Sequence, residues 1–302
     1  MNWKQIFLIT SCLVVGLMNT TTAQNKPMAL HPVRVIYNYE APMPEEIFFT
    51  PYEACLFALA DMDKGKHYAD IGRLLTWYFS RVNKLDDYGV SGTVYDFKLQ
   101  GDKETEVRSY DSVDGYSGLF LYLLNEYYKA TGDSKLILAN WDKINDIAYT
   151  IPFLQQKDGL TIAYTEYPVE YLMDNCEAYG GTMAYLELAK ALKQKIDYPY
   201  YTRVAAGIRE GIYSYLPSGN TLCWSKSGLE RTKSKWNTFY PDAYAQIFPV
   251  FYNLGTFKDR VYIWELFIER YPETTWHAFP IEQRIFCELT KEKLLREGYK
   301  DE

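Results

Sequence analysis

The feature that most constrains this chain is a short motif that recurs about every sixty residues. An acidic residue, a small residue and usually an aromatic one begin four successive apolar runs. The copies are Glu53-Ala54-Cys55, Asp114-Gly115-Tyr116, Glu177-Ala178-Tyr179 and Asp242-Ala243-Tyr244, and their acids are 61, 63 and 65 residues apart. A weaker fifth copy, Glu282-Gln283-Arg284, follows 40 residues after the fourth. A nearly constant period indicates repeated supersecondary units.

Two kinds of helix alternate within the repeat. The run 112–131 is apolar on nearly every side, which predicts a helix buried all round. The run 133–155 is amphipathic, with Trp141 and Ile144 on the apolar side and Asp142 on the polar side. The same alternation holds for 173–193 followed by 198–216, and for 239–254 followed by 257–271. This pattern predicts an inner ring of helices wrapped by an outer ring, because open solenoids have shorter periods, of about 34 to 47 residues.

Long connecting segments account for the length of the repeat. Residues 88–110 and 158–170 are rich in Tyr, Val and Thr and alternate in polarity, which favours short β-hairpins. Residues 217–238 form a third such insertion. All three precede an acidic motif, so we expect them on one face of the ring, where function is to be sought.

The first residues have the pattern of a secretory signal. Lys4 precedes the apolar stretch 6–18, and Thr21-Thr22-Ala23 predicts cleavage before Gln24. A lipoprotein signal with acylated Cys12 is the alternative that we favour less, because it leaves almost no apolar run before the cut. We therefore expect a signal peptide at 1–23, an extended segment at 24–44 and a single domain at 45–302, exported to the periplasm or the medium.

Composition excludes several classes of function. The chain is 48% hydrophobic and 17% aromatic, which suits a large core. A net charge of -7 speaks against nucleic acid, and no later run suits a membrane span. Four of the five cysteines lie after the predicted cleavage site and form no CxxC pair, and the chain has three histidines, so a metal site is improbable; we expect no metal, no cofactor and a monomer. The cysteines suit either buried thiols or one or two disulfides.

Three segments resemble the inner-helix starts of the six-hairpin glycosidases. They are 109–116, which runs into an apolar helix closed by 129–133, then 173–179, and 239–246. The resemblance implies an all-α fold, an (α/α) toroid of about six helical hairpins with short β-hairpin insertions on one face. Five inner helices can be counted in the sequence. The resemblance also implies that inner-helix N-termini line a sugar-binding cleft, where acidic residues act as acid and base.

Two pairs of acids stand three residues apart at predicted helix starts: Asp111 with Asp114, and Asp174 with Glu177. This is also the spacing of a capping box, so capping alone explains each acid. Capping does not explain why acids from different helices should converge on one face. Glycoside hydrolysis needs two carboxyl groups. We therefore predict Asp114 and Glu177 as the catalytic pair, with Asp111 and Asp174 as alternates.

Other residues at these positions are candidates for binding a sugar. Exposed aromatic rings stack on the flat C–H faces of sugars, although core packing explains most tyrosines in so aromatic a chain. The predicted substrate-binding residues are Asp242, Tyr240, Trp236, Trp224, Tyr116 and Tyr179. The loop containing Lys226, Arg231, Lys233 and Lys235 is basic, and it suits an anionic sugar or, more simply, a solvated surface.

Three functions remain open at this point. The first is an exported glycoside hydrolase that acts on a poly- or oligosaccharide with two carboxyl groups. The second is a polysaccharide lyase on the same toroid, with a tyrosine as base and a cation neutralising a uronate. The third is a glycan-binding protein that has kept the ring without the chemistry.

Overall fold

The computed structural model describes residues 46–65, 67–100 and 103–301, and most of these residues are helical. The helices are α1 (Pro51–Asp63), α2 (Tyr68–Arg81), α3 (Val113–Thr131), α4 (Ser134–Leu138), α5 (Trp141–Leu154), α6 (Leu172–Ala191), α7 (Tyr198–Tyr215), α8 (Tyr244–Phe251), α9 (Phe257–Arg270) and α10 (Ile281–Arg296). A π-helical turn at Phe239–Ala243 precedes α8, and a 3-10 helix at Glu273–Ala278 precedes α10.

Five helices form a closed inner ring. Helices α1, α3, α6, α8 and α10 contact one another in chain order, and α10 returns to contact α1. Helices α2, α5, α7 and α9 pack outside α1, α3, α6 and α8. The alternation follows the predicted burial, since α3 buries residues 113–121 without a break, whereas α5 buries Ile144 and Ile147 and exposes Asp142. The predicted toroid of helical hairpins is confirmed, with five inner helices in the described part of the chain.

Glycines bring α3 and α6 into backbone contact. A methyl group on Gly118 would lie 2.4 Å from the backbone oxygen of Glu177, and one on Gly181 would lie 2.4 Å from the backbone oxygen of Gly118. Real Cβ atoms do not approach other atoms so closely, so both positions require glycine. The close approach holds the N-terminal parts of the two helices against each other.

Small antiparallel sheets connect the segments that precede the inner helices. The strands are β1 (Glu46–Phe49), β2 (Phe97–Gln100), β3 (Lys103–Glu106), β4 (Glu170–Tyr171), β5 (Pro217–Ser218), β6 (Thr221–Leu222), β7 (Ser225–Ser227) and β8 (Glu230–Thr232). One sheet has the order β1-β2-β3 and joins the segments before α1 and α3; another, β4-β7-β8, joins those before α6 and α8. Strands β5 and β6 pair with each other. These connections place the predicted insertions beside the helix starts.

The first insertion is less regular than predicted. Residues 86–93 form a loop closed around the carboxylate of Asp86, which accepts hydrogen bonds from the backbone N–H groups of Tyr88 and Val90 and from the Thr93 hydroxyl. A side chain that satisfies neighbouring backbone donors competes with strand pairing. Only the part from Phe97 to Glu106 therefore forms the predicted hairpin.

The predicted signal peptide at 1–23, the alternative acylation at Cys12 and the extended segment at 24–44 lie outside the described residues. Four cysteines, Cys55, Cys176, Cys223 and Cys287, are buried and unpaired, which is the buried-thiol alternative. Among the described residues no helix has the length and apolar character needed to cross a bilayer. The same residues hold no cluster of side chains arranged to ligate a metal.

Candidate active site

The starts of α3 and α6 are joined by one serine side chain. Ser112 is the N-cap of α3, and its Oγ accepts a hydrogen bond from the backbone N–H of Gly115 at 3.3 Å. The same oxygen lies 2.7 Å from Oδ1 of Asp114 on α3 and 2.7 Å from Oδ2 of Asp174 on α6. The two carboxyl groups, 60 residues apart in sequence, therefore contact one hydroxyl oxygen.

Asp114 is the most constrained of the acids. Its side chain is completely buried, with Oδ1 accepting from the backbone N–H of Gly115 at 3.0 Å and Oδ2 from the Thr161 hydroxyl at 2.6 Å. Thr161 is itself held by Asn175, whose Oδ1 accepts from the backbone N–H of Thr161 at 2.7 Å and so fixes the insertion. Burial raises the pKa of Asp114 to about 6, against the effect of the donors that surround its carboxyl group.

Glu177 lies deeper in the ring, one helical turn after Asp174. Its side chain is 1% exposed, and Oε1 has no hydrogen-bond partner among the described residues. Burial and the nearby charge of Asp174 raise the pKa of Glu177 well above its ordinary value, while a hydrogen bond with Tyr52 opposes the shift. Because Glu177 is buried and its Oε1 has no donor in the described part of the chain, the neutral carboxyl is the favoured form.

Asp111 and Asp174 are the two acids of this group that reach the surface. Asp174 is partly exposed and Asp111 is exposed. Burial, followed by the charge of Asp114, raises the pKa of Asp174 well above its ordinary value. Desolvation by the surrounding protein also raises the pKa of Asp111. A ligand at the surface therefore meets these two carboxyl groups before it meets Asp114 or Glu177.

A fifth acid, Asp96, belongs to the same group and was missed in the sequence. It is 5% exposed and accepts a hydrogen bond from the Tyr116 hydroxyl at 2.9 Å. Burial raises the pKa of Asp96 to about 7, and the charges of Asp111 and Glu53 act in the same direction. Tyr116 itself is buried, so its ring supports Asp96 and offers no face to a sugar. An aspartate in the apolar segment 94–97 was the available signal.

The acids of this group form no ion pairs among the described residues. None of Asp96, Asp111, Asp114, Asp174 and Glu177 lies within ion-pair distance of a lysine or arginine in that part of the chain. Burial without a neighbouring cation favours the protonated form of these carboxyl groups. The site carries neutral carboxyl groups at a pH where exposed carboxyls are ionised.

Aromatic residues surround the exposed acids. Tyr240 is 46% exposed, and the charges of Asp111 and Asp174 contribute to its raised pKa, which places its hydroxyl near both. Tyr171, whose pKa is also raised in part by Asp174, stacks on Trp224 with ring centroids 6.0 Å apart and planes 7° from parallel. Tyr240 therefore lies near the exposed acids, whereas Trp224 packs on Tyr171 and against the main core.

The remaining predicted binding residues are engaged elsewhere. Tyr179 and Trp236 are half-buried and pack against the main core, and the Trp236 ring also lies under the guanidinium of Arg270. Asp242 is buried and accepts a hydrogen bond from the backbone N–H of Lys235 at 2.8 Å, which fastens the third insertion to the start of α8. Tyr179, Trp236 and Asp242 therefore make contacts that stabilise the fold.

The predicted basic surface needs a correction at Lys226. Its ammonium group is buried and lies 2.5 Å from both Asp158 and Glu170. The antiparallel pairing of Glu170 with Lys226 in strands β4 and β7 produces this contact, which sequence spacing could not reveal. Lys226 therefore joins the second and third insertions and does not belong to a solvated loop.

The fold is similar to several solved structures. A rhamnosidase from Klebsiella oxytoca with rhamnose bound superposes with a TM-score of 0.54 at 14% identity, over 84% of this chain and 48% of that one. A cellobiose 2-epimerase from Bacillus thermoamylovorans gives 0.51 at 9% identity, over 84% and 73%. An uncharacterized conserved protein from Thermus thermophilus gives 0.54 at 10% identity, over 76% and 70%.

The chain shares the (α/α)-toroid fold of these solved structures. It spans about half the length of the rhamnosidase that it matches. No protein-family model matches the sequence, and no curated protein matches it.

Proposed function

We propose that the protein is a glycoside hydrolase for a neutral saccharide, with Asp174 as general acid and Asp111 as general base. The observation that carries this proposal is the position of Asp174, partly exposed yet in contact through Ser112 with buried Asp114. A carboxyl group in that position keeps its proton to a higher pH than an exposed carboxyl does, and it can still touch a ligand. The exposed Asp111 is the carboxylate that would activate water.

The chemistry requires two carboxyl groups in different protonation states. One protonates the leaving oxygen of the glycosidic bond, and the other, ionised, removes a proton from the attacking water. Environments that push two carboxyl pKa values apart assign these roles. Burial and the Asp114 charge raise the pKa of Asp174 well above its ordinary value. The pKa of Asp111 is raised as well, but Asp111 is exposed to solvent, so we assign it as the base.

Asp114 and Glu177, the pair predicted from the sequence, take supporting roles in this proposal. Both are essentially buried, with exposures of 0% and 1%. The charge of Asp114 helps to raise the pKa of Asp174, and the charge of Asp174 helps to raise that of Glu177, so the three carboxyl groups influence one another. We therefore still expect both to be required for activity, although neither touches the substrate in the arrangement that the structure describes.

The acidic group argues for a neutral substrate and against the lyase alternative. A uronate would be repelled by the ionised Asp111, and buried Lys226 is already paired with acids. A lyase also needs a tyrosine that ionises readily. Burial instead raises the pKa of Tyr171 and Tyr240, the tyrosines beside the exposed acids, and charges of Asp111 and Asp174 add to this.

The structural neighbours support a sugar as the ligand. One was solved with rhamnose bound, and another is named for an epimerisation of cellobiose. Both sugars are neutral. Because this chain is at most 14% identical to either protein, the support extends to the fold and to the kind of ligand that such a face accommodates.

The proposal is tested with a panel of neutral and uronate-containing oligosaccharides, measuring new reducing ends and unsaturated products together. Asp174→Asn and Asp111→Asn should each lower hydrolysis by about 10²–10⁴-fold, the usual contribution of an acid or base. Asp142→Asn on the exposed side of α5 is the matched control. Unsaturated products would support the lyase instead. Binding without cleavage by the unaltered protein would support the glycan-binding alternative.

We also propose that the protein acts outside the cytoplasm. The support is the sequence of residues 1–23, with Lys4, the apolar stretch 6–18 and Thr21-Thr22-Ala23 before Gln24. Mass spectrometry of the protein from its native host should find a mature N-terminus at Gln24. A lipid-modified Cys12 or an intact Met1 would contradict this.

A further inference from the structure

The contacts of Ser112 set a limit on hydrogen atoms. Its Oγ lies 2.7 Å from Asp114 and 2.7 Å from Asp174, and both distances are those of good O–H···O hydrogen bonds. A serine hydroxyl has a single hydrogen and donates to one acceptor. Ser112 can therefore supply the hydrogen for only one of the two contacts. The other contact needs a hydrogen from a carboxyl group.

The surroundings of the two carboxyls decide which one carries that hydrogen. Asp114 accepts hydrogen bonds from the Gly115 backbone at 3.0 Å and from Thr161 at 2.6 Å, so its anion is stabilised by donors besides Ser112. Asp174 has Ser112 as the one side-chain hydrogen-bond partner found among the described residues. The favourable arrangement has Asp174 donating to Ser112, and Ser112 donating to the Asp114 carboxylate.

We propose that Ser112 joins Asp114 and Asp174 into one unit that holds a single proton, kept on Asp174. Ser112 is then a positioning residue, since it acts through the two acids and does not touch a substrate. The hydrogen count does not depend on the function proposed above. The catalytic consequence does rest on it: Asp174 stays neutral and available as the acid.

The other titratable groups around Asp174 act in the same direction. Asp111 precedes α3, Glu177 follows on α6, and the hydroxyls of Tyr171 and Tyr240 face the same carboxyl from β4 and from the turn before α8. None of these groups is a cation. Each therefore either leaves Asp174 neutral or adds negative charge that favours its protonated form.

In the proposed reaction the unit is used once per cleavage. The O–H bond of Asp174 breaks as its proton passes to the leaving oxygen, and the electron pair remains on the Asp174 carboxylate. Ser112 then has one hydrogen for two anions, which is an unfavourable arrangement. Asp174 consequently recovers a proton from solvent before the next cleavage, and Asp114 stays ionised throughout.

The sign of a pKa change tests this unit without a substrate. Carboxyl carbons labelled with ¹³C are titrated by NMR in the full chain, with Asp114→Asn and Asp174→Asn to assign the signals. In Ser112→Ala, Asp174 loses the acceptor for its proton and Asp114 loses a donor. The pKa of Asp174 should fall and that of Asp114 should rise, each by about one unit, a separation typical of coupled acids. Ser112→Thr keeps a hydroxyl and should restore both values.

A serine that merely donates to both carboxylates gives a different result. Its removal would then raise both pKa values, and this outcome, or no change, overturns the proposal. If Ser112→Ala does not fold, Thr161→Val provides a second test, because it removes the hydrogen bond that Thr161 donates to the Asp114 carboxylate. This variant should likewise raise the pKa of Asp114 and lower that of Asp174. Thr256→Ala removes the N-cap of α9 and controls for cap loss, because Thr256 contacts Asp259 and none of these acids. If the pKa values shift as expected but the unaltered protein cleaves no glycan, the result counts against the proposed function alone.

Discussion

The carboxyl of Glu177 lies against the bare Cα of Gly115, so that a methyl group there would come within 2.8 Å of Oε2. The same methyl group would lie 3.1 Å from Oγ of Ser112 and 3.4 Å from Oδ1 of Asp174. Because residue 115 has no side chain, the polar groups of Ser112, Asp174 and Glu177 can meet in the space beside its Cα. Glycine follows the acid of the second repeat for this reason, whereas the first, third and fourth copies have alanine there.

Gly115→Ala should therefore disturb the site more than the fold. The added methyl meets side-chain ends that can move, and alanine favours a helix over glycine by about 1 kcal/mol. We expect little change in the free energy of unfolding, with altered titration of Asp174 and Glu177 and reduced hydrolysis. Unfolding in urea and ¹³C titration measure the two effects.

Gly118→Ala is the contrasting variant one turn later. Its methyl would meet the backbone of Glu177 at 2.4 Å, and backbone in a packed helix does not give way cheaply. Overpacking of this kind costs about 1–3 kcal/mol or more. Gly118→Ala should thus lower the free energy of unfolding well below that of Gly115→Ala, and equal stabilities would contradict the close approach of α3 and α6.

Asp96 should make the protein less stable as the pH rises. Its pKa is about 7 in the folded protein and ordinarily 3.8, so the folded state binds more protons between these values. The contribution of Asp96 to the free energy of unfolding is therefore largest below pH 4, and this contribution is lost as the pH rises through 7. At about 1.4 kcal/mol per pKa unit, the loss is on the order of 4 kcal/mol.

Asp96→Asn removes this titration and keeps an acceptor for the Tyr116 hydroxyl. The variant should match the unaltered protein near pH 4 and exceed it in free energy of unfolding at pH 8. Urea unfolding at several pH values makes the comparison, with Asp142→Asn as a surface control. If the curves for Asp96→Asn and the unaltered protein run parallel, Asp96 ionises normally in the fold.

Lys226→Met should be strongly destabilising. It leaves Asp158 and Glu170 without the buried ammonium group that lies 2.5 Å from each. Breaking a buried ion pair from one side costs about 3–5 kcal/mol, because an uncompensated charge stays buried. Lys233→Met, on the exposed part of the same insertion, should change the free energy of unfolding by no more than about 0.5 kcal/mol. Similar effects of the two substitutions would show that Lys226 is solvated.

Tyr240→Ala should weaken saccharide binding and leave the chemical step alone. The ring is 46% exposed near Asp111 and Asp174, and in the proposed function it covers a sugar. Loss of an aromatic contact worth about 0.5–1.5 kcal/mol raises KM by about 2–12-fold with kcat unchanged. Tyr262→Ala on α9, where the side chain is 52% exposed, is the matched control. A fall in kcat at constant KM would instead assign Tyr240 a role in the reaction.

The sequence alone determined the ring and the faces of its helices. A period of 61 to 65 residues and the alternation of fully apolar with amphipathic runs depend on local spacing, and burial follows that spacing directly. The acids at the helix starts were identified for the same reason, since Asp114, Asp174 and Glu177 recur at fixed positions in the repeat.

Tertiary structure decided what each acid can do. Repeat position could not tell that Asp114 is completely buried and Asp111 exposed, because that depends on how α3 and α6 approach through Gly118 and Gly181. Asp96 does not belong to the repeated motif, and it reaches the site because the first insertion folds beside the helix starts. The pairing of Lys226 with Glu170 depends on strand register. Protonation at this site arises from contacts between segments sixty residues apart, and only the folded chain brings them within hydrogen-bonding distance.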